Sequence, residues 1–309
     1  MNPVRSLARE LSKPAVGDLG RATSNGMKKQ LVFFGTAEFV APLIDALLLG
    51  GWEIPLVVTT PDEPAGRGNV MTPPPVKLKA EKLKLKAFQP LSLKDPTVLS
   101  TLRSTLCPVG VVAAYGKIIP QSVIDVFPFG IINVHPSLLP KYRGPTPVQA
   151  AIMSGDSQTG VSIMKIDSQM DHGPILTQET VSIGPTEKFE ELNARLWALG
   201  SRMLTTSLPD YVSGKITPLE QDHSSATFCK LITRDDGKVD IHQDPRAVIY
   251  NKLRAFGEWP GVWFLHKGKR VKILDAAFEN DQLSILKLQP EGKRPMTFKD
   301  FINGYGFPG

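Results

Sequence analysis

Residues 130–144 begin as an apolar run carrying Ile131, Ile132 and Val134 and end as a loop broken by Pro136, Pro140 and Gly144. A run this short, stopped by proline, fits one buried strand. Side chains two apart in a strand share a face, so Asn133 and His135 project together from its end. Open α/β sheets carry their chemistry at that edge. An amide donor beside an imidazole can polarise a carbonyl and move a proton. The same two residues read equally well as satisfied polar groups at a strand tip.

Other runs place that strand in a sheet. Residues 31–34 (Leu-Val-Phe-Phe) read as a buried strand followed by a helix from about Glu38 to Leu49, with Leu43 and Leu47 at helical spacing. Residues 55–60 and 109–116 read as further strands, and alternation of strand and helix is the mark of an α/β fold with a parallel sheet. Gly35 stands alone, with no G-x-G-x-x-G following it, so the Rossmann-like opening does not carry dinucleotide binding.

Composition narrows the class. The chain has 309 residues, 41% hydrophobic and 21% charged, enough for a large core or two domains. No apolar run approaches the ~20 residues of a membrane helix. Cys107 and Cys229 are the two cysteines, in no metal or redox spacing, which argues against a disulfide framework and for a reducing compartment. A net charge of +6 suits a polyanionic partner but is a modest excess. Residues 1–26 carry Arg5, Arg9, Lys13 and Arg21 without the apolar core of a secretory signal, and read as a disordered leader or an upstream start before Met27.

Three further stretches hold candidate chemistry. Residues 61–75 form a long Pro/Gly loop in which Arg67, between Gly66 and Gly68, can offer a guanidinium to phosphate; alone it reads as a solvated turn. A Lys-rich helix is expected over 76–86, and such a face is usually solvated. Residues 167–173 form a loop between two strands, with Asp171 as an ordinary turn residue on local grounds. A long amphipathic helix is expected from Thr186 to about Val212, a polar linker over 214–225, then a helix over 245–256 and short strands at 262–266, 270–278 and 283–289 that suggest a small OB-like barrel.

The run Asn133, Val134, His135 followed by Ser137, Leu138, Leu139, Pro140 and Arg143-Gly144 resembles the signature of formyltransferases that use 10-formyltetrahydrofolate. Gly66-Arg67-Gly68, Arg254-Ala255-Phe256, Trp259-Pro260 and residues 289–296 are similar to the methionyl-tRNA formyltransferase family. That resemblance covers most of the chain from Met27 onward. It implies a Rossmann-like catalytic domain over 27–213 with a mostly parallel sheet, the linker at 214–225, and an OB-like tRNA-binding domain over 226–309. The family usually has more strands where this chain has only residues 279–282, so a trimmed barrel is expected.

The same resemblance implies that Asn133, His135 and Asp171 are catalytic, Asp171 rather than Asp167. It implies folate contacts from Tyr115, Gly116, Lys117, Ile118, Ser137, Leu138, Leu139 and Pro140. It implies tRNA contacts from Gly66, Arg67 and Gly68, although the family often has a second arginine where this chain has Glu63. The implied donor is 10-formyltetrahydrofolate, without metal, and the implied acceptor is methionyl initiator tRNA. A cytoplasmic monomer is expected, with no membrane and with organellar import through the leader left open. The alternatives at this stage are a nucleotide-sugar formyltransferase and a 10-formyltetrahydrofolate hydrolase.

Overall fold

The computed structural model describes residues 29–257 and 259–306, without the side chains of Ala65 and Arg67. The leader expected over 1–26 lies outside the described residues. Apolar runs and helices alternate as follows: β1 (Gln30–Gly35), α1 (Ala41–Leu49), β2 (Glu53–Val58), a hairpin of β3 (Glu63–Ala65) and β4 (Val70–Thr72), α2 (Pro75–Lys82), β5 (Ala87–Phe88), α3 (Pro96–Ser104), β6 (Val109–Ala113), α4 (Gln121–Ile124) and β7 (Ile131–His135). Then come α5 (Pro147–Met153), β8 (Gln158–Lys165), β9 (Ile175–Ser182) and α6 (Phe189–Val212). These strands, the β3–β4 hairpin excepted, form one seven-stranded sheet in the order β5-β2-β1-β6-β7-β8-β9. The strands from β5 to β7 pair in parallel, and β8 and β9 add antiparallel.

Both faces of the parallel part are covered, which is why its strands read as continuous apolar runs. Alternation along β1 sends Leu31 and Phe33 to one core, with α1, α2 and α6, and Val32 and Phe34 to the other, with α3 and α4. On β7, Ile132 and Val134 belong to the first core and Ile131 to the second. Asn133 and His135 therefore continue the face of Ile131, as the period of two requires.

The C-terminal part holds α7 (Arg246–Phe256), β10 (Val262–His266), β11 (Lys269–Glu279), β12 (Gln282–Pro290), β13 (Met296–Thr297) and α8 (Phe298–Tyr305). Its four strands form an antiparallel sheet in sequence order. β11 and β12 meet directly, Glu279 opposite Gln282, through Asn280 and Asp281, both at positive φ (49° and 58°). Two such residues make the tight hairpin whose twist matches its strands, so nothing intervenes where the family's usual extra strands were expected to be missing. Ile249, Phe264, Val271, Leu288 and Phe301 pack into the same core as α1, α5 and α6.

Two details differ from the sequence reading. The helix expected over 76–86 ends at Lys82: Leu83 and Leu85 donate back to the Ala80 carbonyl, and Lys84 takes a left-handed φ of 56°. The loop over 61–75 contains the β3–β4 hairpin, with Gly66–Gly68 at its tip.

Close packing of α6 on β7 sets the height of the site. A Cβ on Gly200 would lie 2.6 Å from Val134 Cγ1, the residue between Asn133 and His135. Valine at position 200 should overpack this contact and lower stability by about 1–3 kcal/mol. Urea unfolding of Gly200→Val against the parent measures it, and an unchanged midpoint would contradict the packing argument.

Candidate active site

β7 ends at His135, and the chain turns at Pro136 into the loop that precedes α5. His135 is buried at the strand end, and its Nε2 lies 3.0 Å from the Tyr142 carbonyl. A carbonyl only accepts, so Nε2 carries the proton and donates. In the neutral ring Nδ1 then keeps its lone pair. That nitrogen lies 3.7 Å from Asp171 Oδ1, inside ion-pair range and outside hydrogen-bond range. Asn133 Nδ2 donates to the same Oδ1 at 3.4 Å, a long bond. Asp171 Oδ2 accepts the Gly144 amide at 2.7 Å.

Three side chains from two segments thus meet around one point. Two come from β7 by strand periodicity. The third comes from the loop between β8 and β9, where Asp171 itself sits at φ 49°. Asp tolerates that region better than most residues, because its short side chain bonds locally. Asp167 on the same loop is used differently: its carboxylate pairs with His172 Nδ1 at 2.7 Å. His172 stacks on His223 with ring centroids 3.9 Å apart. Among the described residues, no three His, Cys, Asp or Glu side chains come together as a metal-binding group.

The corner after β6 lies beside β7, since Val112 pairs with Asn133. Gly116 has φ 79° and open space at its Cα, while Ile118 is 80% exposed. Lys117 Nζ donates to the Leu91 carbonyl. The Tyr115 ring turns away into the core against Phe34, and burial pushes its hydroxyl pKa up to about 12. Only the Tyr115 backbone is at the corner, with its carbonyl accepting from Thr36 Oγ1. Ser137 and Leu139 serve the loop itself: Ser137 Oγ donates to the Lys141 carbonyl, and Leu139 bonds Ser162 and Gln178 through its backbone. Leu138 packs over Gly160 of β8.

The hairpin carrying Gly66, Arg67 and Gly68 is tied down at its base. Asp62 accepts from Gln89 at 2.7 Å and from Lys77 at 2.8 Å. Those bonds, Gln89 first and then Lys77, hold the Asp62 carboxyl below its ordinary pKa. The Arg67 side chain lies outside the described atoms.

Sequence reasoning gave no role to Gln221, Thr227 or Cys229. The segment expected as a linker pairs Leu219 with Ile175, and beyond it residues 227–229 run parallel to the 140–143 loop. Arg143 donates its amide to the Thr227 carbonyl, and its own carbonyl accepts from the Cys229 amide. Only a long-range contact reveals these residues; nothing local marks a buried glutamine in a polar stretch.

The chain matches the formyl transferase family over residues 28–208 and the formyl transferase C-terminal domain family over residues 231–283. With the Asn–His–Asp cluster at the sheet edge, this defines a formyltransferase with an appended domain. Over 300 residues it is 40% identical to a methionyl-tRNA formyltransferase from Chloroflexus aurantiacus, covering 89% of this chain and 96% of that one. The chain belongs to the methionyl-tRNA formyltransferase family. Among solved structures, a sugar N-formyltransferase from Shewanella shares the fold at TM-score 0.63 and 18% identity, over 81% of this chain and 98% of that one. An N-formyltransferase from Helicobacter canadensis, solved with folinic acid and dTDP-3-aminofucose, does so at TM-score 0.59 and 16% identity, over 82% and 89%.

Gly144 is where the loop is least able to change. Its φ is 118°, and a Cβ there would fall 2.3 Å from the Cys229 carbonyl oxygen, a backbone atom. Gly144→Ala should cost about 2–3 kcal/mol and displace the amide that holds Asp171. Thermal melting and single-turnover transfer measure the two effects, and a variant normal in both would contradict this account of the loop.

Proposed function

We propose that the cluster of Asn133, His135 and Asp171 transfers the formyl group of 10-formyltetrahydrofolate to the free α-amino group of methionyl initiator tRNA. The observation that carries this reading is the convergence itself: an amide, an imidazole nitrogen with a free lone pair, and a carboxylate around one point at the C-terminal edge of a parallel sheet. Relatives at 40% identity over nine-tenths of the chain support the acceptor. The family and the folate-bound neighbour of the same fold support the donor.

An α-amino group with a pKa near ~8 is mostly protonated at neutral pH and must lose a proton before it attacks. Asp171, held at one oxygen by the Gly144 amide, keeps the other beside Asn133 and His135, where it draws that proton off directly or through water. The amine nitrogen then bonds to the formyl carbon, and the carbonyl oxygen becomes an oxyanion. Asn133 Nδ2 has only its long bond to Asp171 to give up in order to donate there. One such donor is worth roughly 10²–10³ in rate. Asp171 passes its proton on to water, and the attacking nitrogen, now cationic, gives its second proton to His135 Nδ1. The imidazolium pairs with the Asp171 carboxylate and delivers that proton to the folate nitrogen as the oxyanion re-forms a carbonyl and the bond from carbon to folate nitrogen breaks. The atoms balance without a covalent enzyme intermediate.

The corner at Gly116, Lys117 and Ile118 and the loop at residues 137–140 border the site and would receive the flat ring of the donor. The anchored hairpin at Gly66–Gly68 would present Arg67 to the acceptor end of the tRNA, where a guanidinium contacts phosphate.

Asp171→Ala and His135→Ala should each abolish transfer while the thermal midpoint stays within a few degrees. Protein mixed with 10-formyltetrahydrofolate and methionyl initiator tRNA, a nucleotide-sugar amine, or neither, tests the reading directly. Transfer to the sugar, or formate release without acceptor, would sink it. Arg67→Ala should raise the KM for charged tRNA at least tenfold and leave folate binding alone; an unchanged KM would remove the hairpin from the acceptor site.

A further inference from the structure

We infer that Gln221 is a positioning residue for formyl transfer, holding the Asp171 loop in its productive conformation from outside the catalytic sheet; this rests on Asp171 having the role given above. Gln221 lies in the stretch between α6 and α7 and is 6% exposed. Its amide is fully used. Nε2 donates to the carbonyls of Asp171 (2.9 Å) and Gly173 (2.7 Å). Oε1 accepts from Arg143 Nε (3.2 Å) and Nη2 (2.7 Å). An arginine only donates and a carbonyl only accepts, so the amide has one possible orientation.

The groups it joins are those the site depends on. Asp171 and Gly173 flank the turn at which the chain leaves the left-handed region, and Gly173 lies so close to β8 that a Cβ would meet the Lys165 carbonyl oxygen at 2.1 Å. Arg143 sits between Tyr142, whose carbonyl holds His135, and Gly144, whose amide holds Asp171. One side chain therefore spans the loop that fixes the imidazole and the loop that carries the carboxylate.

Arg143 adds a second, independent observation. Its guanidinium is buried, and among the described residues it has no carboxylate partner; it is held by Gln221 Oε1 and by His223 Nδ1 at 2.9 Å. A buried charge with neutral acceptors alone is an expensive arrangement. A purely structural tie between these loops needs no charge. A cation beside the Asp171 turn instead biases that loop toward presenting its acceptors inward, and Gln221 is the bridge that transmits the bias.

Gln221→Glu is the informative variant. It keeps the length and gives Arg143 a better acceptor, but it loses both donated bonds and sets a carboxylate against two carbonyls. Expected are a kcat lowered about 10–100-fold, KM for folate and for methionyl-tRNA within twofold of the parent, and a thermal midpoint lowered while the variant stays folded at the assay temperature. If the glutamate variant does not fold, Gln221→Met, which loses all four bonds without adding charge, should show the same kcat loss. A folded variant with parental kcat, or one whose KM rises at constant kcat, would overturn the inference. Asp171→Ala that still turned over would overturn the catalytic reading and this inference with it. A dead Asp171→Ala beside a fully active Gln221→Glu would overturn this inference alone.

Discussion

The His135 Nε2 to Tyr142 carbonyl bond governs the rest of the site. It spends one ring nitrogen on the backbone and so leaves the other toward Asp171. A neutral imidazole has one donor and one acceptor nitrogen, and which is which depends on the partner it is given. Were Tyr142 to turn its carbonyl away, His135 would be free to donate toward Asp171, and the lone pair would be lost from the reacting side. The tautomer is thus set by a loop conformation, and that loop, with Tyr142 at φ 58° and Gly144 at φ 118°, is far from the ordinary strand or helix regions.

Such a loop does not hold itself. Its amides and carbonyls at Pro140, Tyr142 and Arg143 pair with Thr227 and Cys229, which run alongside it. The Cys229 thiol packs on the Arg143 carbonyl, and burial pushes its pKa up. It therefore stays a neutral thiol rather than a thiolate against those carbonyls. The chain beyond α6 is for this reason part of what holds the loop around His135, as well as a route to the C-terminal sheet. α7 then packs beside α5, and a single apolar core continues from one part of the protein to the other.

Much of this was legible in the residues. The period of two put Asn133 and His135 on one face, and Pro136 marked where the strand stops; both hold in the structure. The covered parallel strands announced themselves as unbroken apolar runs, and the short join between the strands expected at 270–278 and 283–289 turns on Asn280 and Asp281, which accept positive φ more readily than most residues other than glycine. The resemblance assigned Asp171 ahead of Asp167, and the structure turns Asp171 toward the imidazole and Asp167 toward His172. Less visible was the end of α2, where lysine continues a helical composition but Lys84 turns left-handed to bring Leu85 back onto the core.

The order of apolar and polar residues by itself determined the strands, their faces and the two side chains that share the tip of β7, because these depend on neighbours along the chain. Only the tertiary structure decided the tautomer of His135, the inward turn of Asp171 and the burial of Gln221 and Arg143. Those depend on groups that can lie about eighty positions away in sequence, such as the Arg143 guanidinium and the His223 ring, a separation of 80. A polar residue in a polar stretch looks the same whether it faces water or closes such a bond, since desolvation exists only once the segments have packed.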